Sequence, residues 1–275
     1  MQKVFLTLIL SSLVFASCKQ SEKKEEAISV TSTSVDVETV TVTPEEKYTS
    51  GIEKAHKMNA FMEKDAIQFD IDLNFGGNDR LDAKITLVPN STKIRIDKKD
   101  GSSLIYDGNE VYLSPADAND RGARFDMFTW TYFFALPYKL NDNGTKWSNL
   151  EKHSLEDHSY NTARLTFENN IGDAPDDWYV IYTDEKTNML HAAGYIVTFG
   201  GNAVEKAEEE PHAIKYSNYT DVEGIPFATN WGYYNWTVEN GFAGKIGDAT
   251  ISNIKFLSPE ADFFKKPEDS KIIAL

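Results

Sequence analysis

The chain has 275 residues, a formal charge of −15 and 12% aromatic residues. That acidic balance argues against DNA, RNA and anionic lipid headgroups as main partners, since these need clustered Lys and Arg. A single cysteine, Cys18, excludes an intrachain disulfide and any thiolate metal centre.

The chain opens with Lys3 and an apolar stretch from Val4 to Val14. That length suits a secretory h-region of roughly 7–15 residues and falls short of the roughly 20 that span a bilayer. Leu13-Val14-Phe15-Ala16-Ser17-Cys18 then reads as a bacterial lipoprotein cleavage site, with small residues just before the cut. Residues 1–17 are thus a signal peptide, and Cys18 becomes the lipidated first residue. An ordinary secretory signal with an incidental cysteine is the competing reading. Residues 18–43 are rich in Lys, Glu, Ser, Thr and Val and form a flexible tether, unable to bury enough apolar surface to offset chain entropy. Lys19 stands where some Gram-negative lipoproteins carry an inner-membrane retention Asp, so an outer-membrane destination is expected. Glu22 to Glu26 leave periplasmic and surface placement both open.

Residues 44–275 are expected to form a single β-rich domain. Thr43-Pro44-Glu45-Glu46 is a capping-box start. Tyr48, Ile52, Ala55, Met58 and Met62 recur at helical spacing, so a helix is placed from Pro44 to about Phe61 with that stripe inward. From Asp65 the period becomes two. Ile67, Phe69, Ile71 and Leu73 alternate with polar residues, as do Ala83, Ile85 and Leu87. Ile94 to Ile96, Leu104 to Tyr106 and Val111 to Leu113 follow, separated by Asp100-Gly101 and Asp107-Gly108 turns.

Phe125 to Leu136 is apolar on every side and is read as a short helix buried on the concave face of a sheet; a strand is the alternative. Strands are then expected at 158–167, 178–182, 189–198, 212–219, 227–236 and 250–257. Glu205 to Glu210 is a charged loop or helical turn. The sum is roughly eleven strands and two or three helices: a mainly β, α+β fold with one large curved antiparallel sheet.

Ser102-Ser103-Leu104-Ile105-Tyr106-Asp107-Gly108-Asn109-Glu110-Val111-Tyr112 resembles the "DG-x-x-hydrophobic" hairpin of lipoprotein-carrier proteins of the LolA/LolB type. Trp178 to Tyr182 with Asp184, Thr187 and Leu190 resembles their later "strand, D-x-x-T, strand" hairpin. In layout the chain is also similar to Bacteroidota envelope lipoproteins near that superfamily. The resemblance implies an unclosed β-barrel with helices over its concave face and an apolar cavity for acyl chains. Phe125 to Leu136 would then cover the cavity. The chain departs from the carriers in being longer, more acidic and itself lipidated.

Chemistry is harder to find. His153 and His158 are five apart, off one helix face, in what reads as a polar loop. Asp173, Asp176 and Asp177 flank Pro175 and could pair as catalytic carboxylates, although a solvated turn fits better. There is no G-x-S-x-G, H-E-x-x-H or P-loop. In Trp231 to Trp236, alternation puts Trp231 and Tyr233 on one face and Tyr234 and Trp236 on the other. The expectation is a non-enzymatic, membrane-anchored lipoprotein without a cofactor that binds a lipid or acyl chain. The candidate contacts are Phe125, Phe128, Trp130, Tyr132, Phe133, Phe134, Trp231 and Tyr233. A non-catalytic structural or interaction lipoprotein with a filled core and a protein or glycan partner is the alternative.

Overall fold

A computed structural model describes residues 41–275. The signal peptide, Cys18 and nearly all of the tether lie outside the described residues.

The first helix, α1 (Pro44–Ala55), starts as the capping box requires. Thr43 Oγ1 accepts from Glu46 N at 3.1 Å, and Glu46 Oε2 accepts from Thr43 N at 2.7 Å. The expected single helix to Phe61 is corrected. The chain breaks at Lys57, which adopts φ 59°, and restarts as α2 (Met58–Met62). A left-handed non-glycine residue costs roughly 1–2 kcal/mol. The break turns the following residues, so Phe61 is buried in place of Met62, which is 41% exposed. Phe61 stacks on Tyr138 at 3.8 Å, and that burial offsets the strain.

Among the described residues, thirteen strands form one antiparallel sheet. The first group is β1 (Ala66–Phe75), β2 (Asn78–Leu87), β3 (Ile94–Lys98), β4 (Ser103–Tyr106) and β5 (Val111–Ser114). The second is β6 (Thr145–Leu155), β7 (His158–Phe167), β8 (Tyr179–Asp184), β9 (Leu190–Tyr195), β10 (His212–Val222), β11 (Ile225–Thr237) and β12 (Gly241–Leu257). A two-residue β13 (Lys271–Ile272) completes the set. The order is β13-β5-β4-β3-β2-β1-β12-β11-β10-β9-β8-β7-β6. Each meander therefore runs back and forth locally, and β12 joins them by pairing with β1 on one side and β11 on the other. The end strands β13 and β6 do not pair with each other, so the barrel stays open.

Between the meanders lies α3 (Ala123–Ala135), followed by a single 3-10 turn (Leu136–Tyr138). This is the buried helix the sequence suggests, and the strand alternative falls. Its inner flank packs into the concave face of the sheet. Phe134 stacks on Phe69 at 3.9 Å and on Phe227 at 5.5 Å, while Trp130 meets Tyr233 at 5.9 Å and Phe133, at the boundary between the inner and outer flanks, meets it at 6.0 Å. Asp126 is buried on this flank and its charge is matched. Arg80 Nη2 lies 2.6 Å away, and Trp130 Nε1 donates at 2.8 Å.

A second cluster, with Tyr160, Val180, Tyr182 and Trp236, covers the opposite face of the sheet. Alternation explains the division: Ile181 belongs to the main core and Tyr182 to this cluster. Gly194 lies under the Trp236 ring, where a Cβ would come within 2.5 Å of ring carbons. The charged Glu205 to Glu210 region contains one short helix, α4 (Val204–Ala207). Among the described residues, no helix is long and apolar enough to cross a membrane.

Candidate functional site

The outer flank of α3 faces the space between the two ends of the open sheet. A cavity of about 420 Å³ lies there. The helix contributes Phe125, Phe128, Tyr132 and Phe133 to its wall. These four positions follow helical spacing, so they form a stripe beside the Trp130/Phe134 flank. The first meander adds Ile94 and Tyr106, and the second adds Phe167, Tyr179, Tyr195 and Phe199. The rings support one another across these elements. Phe128 meets Tyr106 at 5.2 Å, Phe125 meets Phe199 at 5.5 Å, and Phe133 meets Tyr195 at 5.0 Å. The wall is thus largely aromatic and held by both halves of the sheet.

Charged groups sit on the same wall. Arg124, one residue before Phe125, grips Asp173 through Nε and Nη2 at 2.5 and 2.9 Å. Its Nη1 donates to the Ile273 carbonyl at 3.1 Å, so the helix, the loop before β8 and the C-terminal tail are tied together. Lys139 Nζ pairs with Asp142 at 2.6 Å. Asp177 Oδ1 accepts from Thr198 N at 2.6 Å and Thr198 Oγ1 at 2.8 Å. Burial pushes the Asp177 carboxyl up to about 6, with Asp176 adding repulsion, and the Thr198 hydrogen bonds oppose the shift. Burial, with help from Asp142 and Asp177, also raises the Tyr132 phenol. That hydroxyl is wholly buried and has no hydrogen-bond partner among the described residues.

The candidate contacts divide. Phe125, Phe128, Tyr132 and Phe133 line the cavity, whereas Trp130, Phe134, Trp231 and Tyr233 are packed in the core and do not reach it. Phe134 and Trp231 instead border a separate void of about 20 Å³ beside His56 and Tyr138. That is room for about one water.

The other chemical candidates do not converge. His153 pairs with Glu151 at 3.1 Å, and His158 Nδ1 lies 2.8 Å from the Glu156 carbonyl, both on the β6–β7 hairpin away from the cavity. Asp173 and Asp177 reach the cavity, but Asp176 is exposed and Asp173 is held by Arg124. Among the described residues, no group of three or more His, Cys, Asp or Glu could hold a metal ion. Several wall residues carry no sequence signal for the site: Arg124, Tyr195 and Phe199 come from separate elements that only the fold assembles.

A solved LolA superfamily protein from Nitrosomonas europaea superposes with a TM-score of 0.54 at 11% identity, covering 79% of this chain and 96% of that one. The chain has a LolA-type fold. This is the fold that the hairpin resemblance implies. A lipoprotein-sorting protein domain from Vibrio parahaemolyticus agrees less closely, with a TM-score of 0.48 at 9% identity over 79% of this chain and 97% of that one. A DUF1329 family protein from Desulfovibrio piger has a TM-score of 0.43 at 13% identity over 78% and 96%. Residues 106–233 match the model of a family of unknown function, DUF6503. That span runs from β4 to β11 and includes α3 within the LolA-type sheet. No curated protein matches the chain.

Proposed function

We propose that this LolA-type domain binds an apolar ligand, a lipid or acyl chain, in the cavity beside α3. The observation that carries this is the aromatic-walled space of about 420 Å³. Ligand sites occupy roughly 300–1,000 Å³ and are mostly apolar with a few fixed polar groups. Each methylene moved from water into such a wall contributes about 0.8 kcal/mol. Phe125, Phe128, Tyr132 and Phe133 are the contacts proposed from α3. A binding role needs no cofactor and no catalytic group, and the chain is read as a non-enzyme.

The uncharged dye N-phenyl-1-naphthylamine tests the reading, because its fluorescence rises in apolar surroundings. Saturable binding, and displacement by acyl compounds, is expected. Thr129→Trp would place an indole in the cavity from the lining position Thr129. It should weaken dye binding by at least about tenfold while the unfolding free energy stays within about 1 kcal/mol of the parent, because the indole enters open space. A dye signal that Thr129→Trp leaves unchanged sinks the proposed location.

We further propose that acyl chains on Cys18 anchor the protein at the outer membrane, on its periplasmic or outer side. One acyl chain gives only marginal membrane binding, and two or more hold a protein firmly. Cys18→Ser in the native host should therefore move the protein from the membrane pellet to the soluble fraction. Continued pelleting of the serine variant argues against acylation there.

A further inference from the structure

We propose that the cavity selects ligands whose polar end is not anionic, and that Asp177 sets this preference. The inference rests on the reading of the cavity as an acyl-ligand site and concerns what the other end of that ligand must be.

Five acidic or basic side chains line the cavity: Arg124, Lys139, Asp142, Asp173 and Asp177. Four of them are already matched. Arg124 is held by both oxygens of Asp173, and its remaining nitrogen is taken by a backbone carbonyl. Lys139 is held by Asp142. Among the described residues of the wall, no cation is left over to receive a phosphate or carboxylate, and Asp177 is the one unmatched charge. Its Oδ1 takes both Thr198 hydrogen bonds, and Oδ2 accepts from no described residue. Partial burial already penalises this charge, and its titration near 6 leaves it mostly ionised at neutral pH.

Bringing a second negative group beside a partly desolvated carboxylate is repulsive, and the low local dielectric strengthens that repulsion. A hydroxyl, amide N–H or ammonium instead finds an acceptor in Oδ2. The wall therefore rejects one class and rewards another, as selectivity requires. Acylglycerols, acyl amides and aliphatic amines fall inside the class. Free fatty acids and alkyl phosphates fall outside it. Asp177 acts as a specificity-determining residue.

Three probes of one chain length test this by displacement of N-phenyl-1-naphthylamine from the full domain, near neutral pH and below micelle-forming concentrations. They are monolauroylglycerol, lauric acid and lauryl phosphate. Monolauroylglycerol is expected to displace the dye at a concentration lower by at least about tenfold than either anion. Asp177→Asn keeps an Oδ1 acceptor for Thr198 and removes the charge; it should cut that gap to about threefold or less. Equal potencies on the parent protein overturn the selectivity while leaving the acyl site standing. A gap that persists in Asp177→Asn overturns the role of Asp177. Failure of all three probes to displace a bound dye overturns the acyl-site reading, and this inference with it.

Discussion

Phe134→Ala is expected to destabilise the domain by about 3–5 kcal/mol, the usual cost of deleting a fully packed phenyl ring. Phe134 is 6% exposed and lies between Phe69 and Phe227, with Trp231 at 6.5 Å. Those partners sit on β1 and β11, so their backbones are fixed by strand pairing on both sides and cannot collapse far into the hole. The same ring holds the inner flank of α3 against the sheet, while the outer flank of that helix carries four of the cavity's aromatic residues. Denaturant unfolding should show a lower midpoint at an unchanged slope. Dye binding should fall as well, because the helix loses its seat. A loss under about 1 kcal/mol would mean that the neighbouring rings refill the space, contrary to this packing argument.

Acid should destabilise the domain through His56. This side chain is buried where α1 ends, its Nε2 accepts from Leu190 N at 3.1 Å, and rings of Tyr138 and Tyr219 flank it. Burial lowers its pKa from the ordinary 6.5 to about 3. The unfolded chain therefore takes up a proton below 6.5 that the folded chain refuses. The stabilisation is complete above 6.5 and is lost as pH falls through the window from 6.5 to about 3. By pH 4 the loss is on the order of 3 kcal/mol. Asp177 works in the opposite sense. Its raised folded pKa makes the folded state the better proton binder between about 6 and its ordinary value of 3.8. The comparison that isolates the histidine is His56→Gln, which can still accept from Leu190 N. Its stability should decline less on acidification than that of the parent, with Asp177 cancelling between them. Parallel pH profiles would show that His56 is not the group being titrated.

Much of the fold was legible because local chemistry and global pattern agree. The Thr43 capping box, the alternation from Ile67 to Leu73 and the Asp-Gly turns all appear where the residues put them. The misses have physical causes. β6 is an end strand that pairs only with β7, and most of its residues are exposed, so Thr145 to Leu155 shows no apolar alternation to detect. A register shift between Ser148 and Glu151, with Asn149 at φ 51°, breaks even the polar pattern. The early part of β12, Gly241 to Gly247, is masked by three glycines and a lysine. The turn at Lys57 has no glycine to announce it, and missing it moved Met62 inward in place of Phe61.

The site was legible only in part. Phe125 to Leu136 stands out as an aromatic run, but a run apolar on all sides does not say which flank is packed and which faces a cavity. Trp130 and Phe134 went to one flank, Phe128 and Tyr132 to the other. Trp231 and Tyr233 share a strand face as alternation requires, and that face is the filled core. Asp177 could be noticed as an acidic residue near Pro175. Its isolation as the unmatched charge emerges only when Arg124 and Lys139 are seen with their partners.

The position of β12 between the meanders has a consequence for how the chain reaches this structure. β12 pairs Leu257 with Ala66 on one side and Thr250 with Asn230 on the other. Each meander can zip up from near neighbours, but joining them closes a loop spanning almost the whole domain. Such closure adds little to the equilibrium cost and much to the search time. The joining strand is also the last long one in the sequence. Until it arrives, β1 and β11 both present bare ladder edges. Folding as a cooperative unit must therefore wait for the C-terminal part of the chain, and the interval before that is when the half-formed sheets are most open to mispairing.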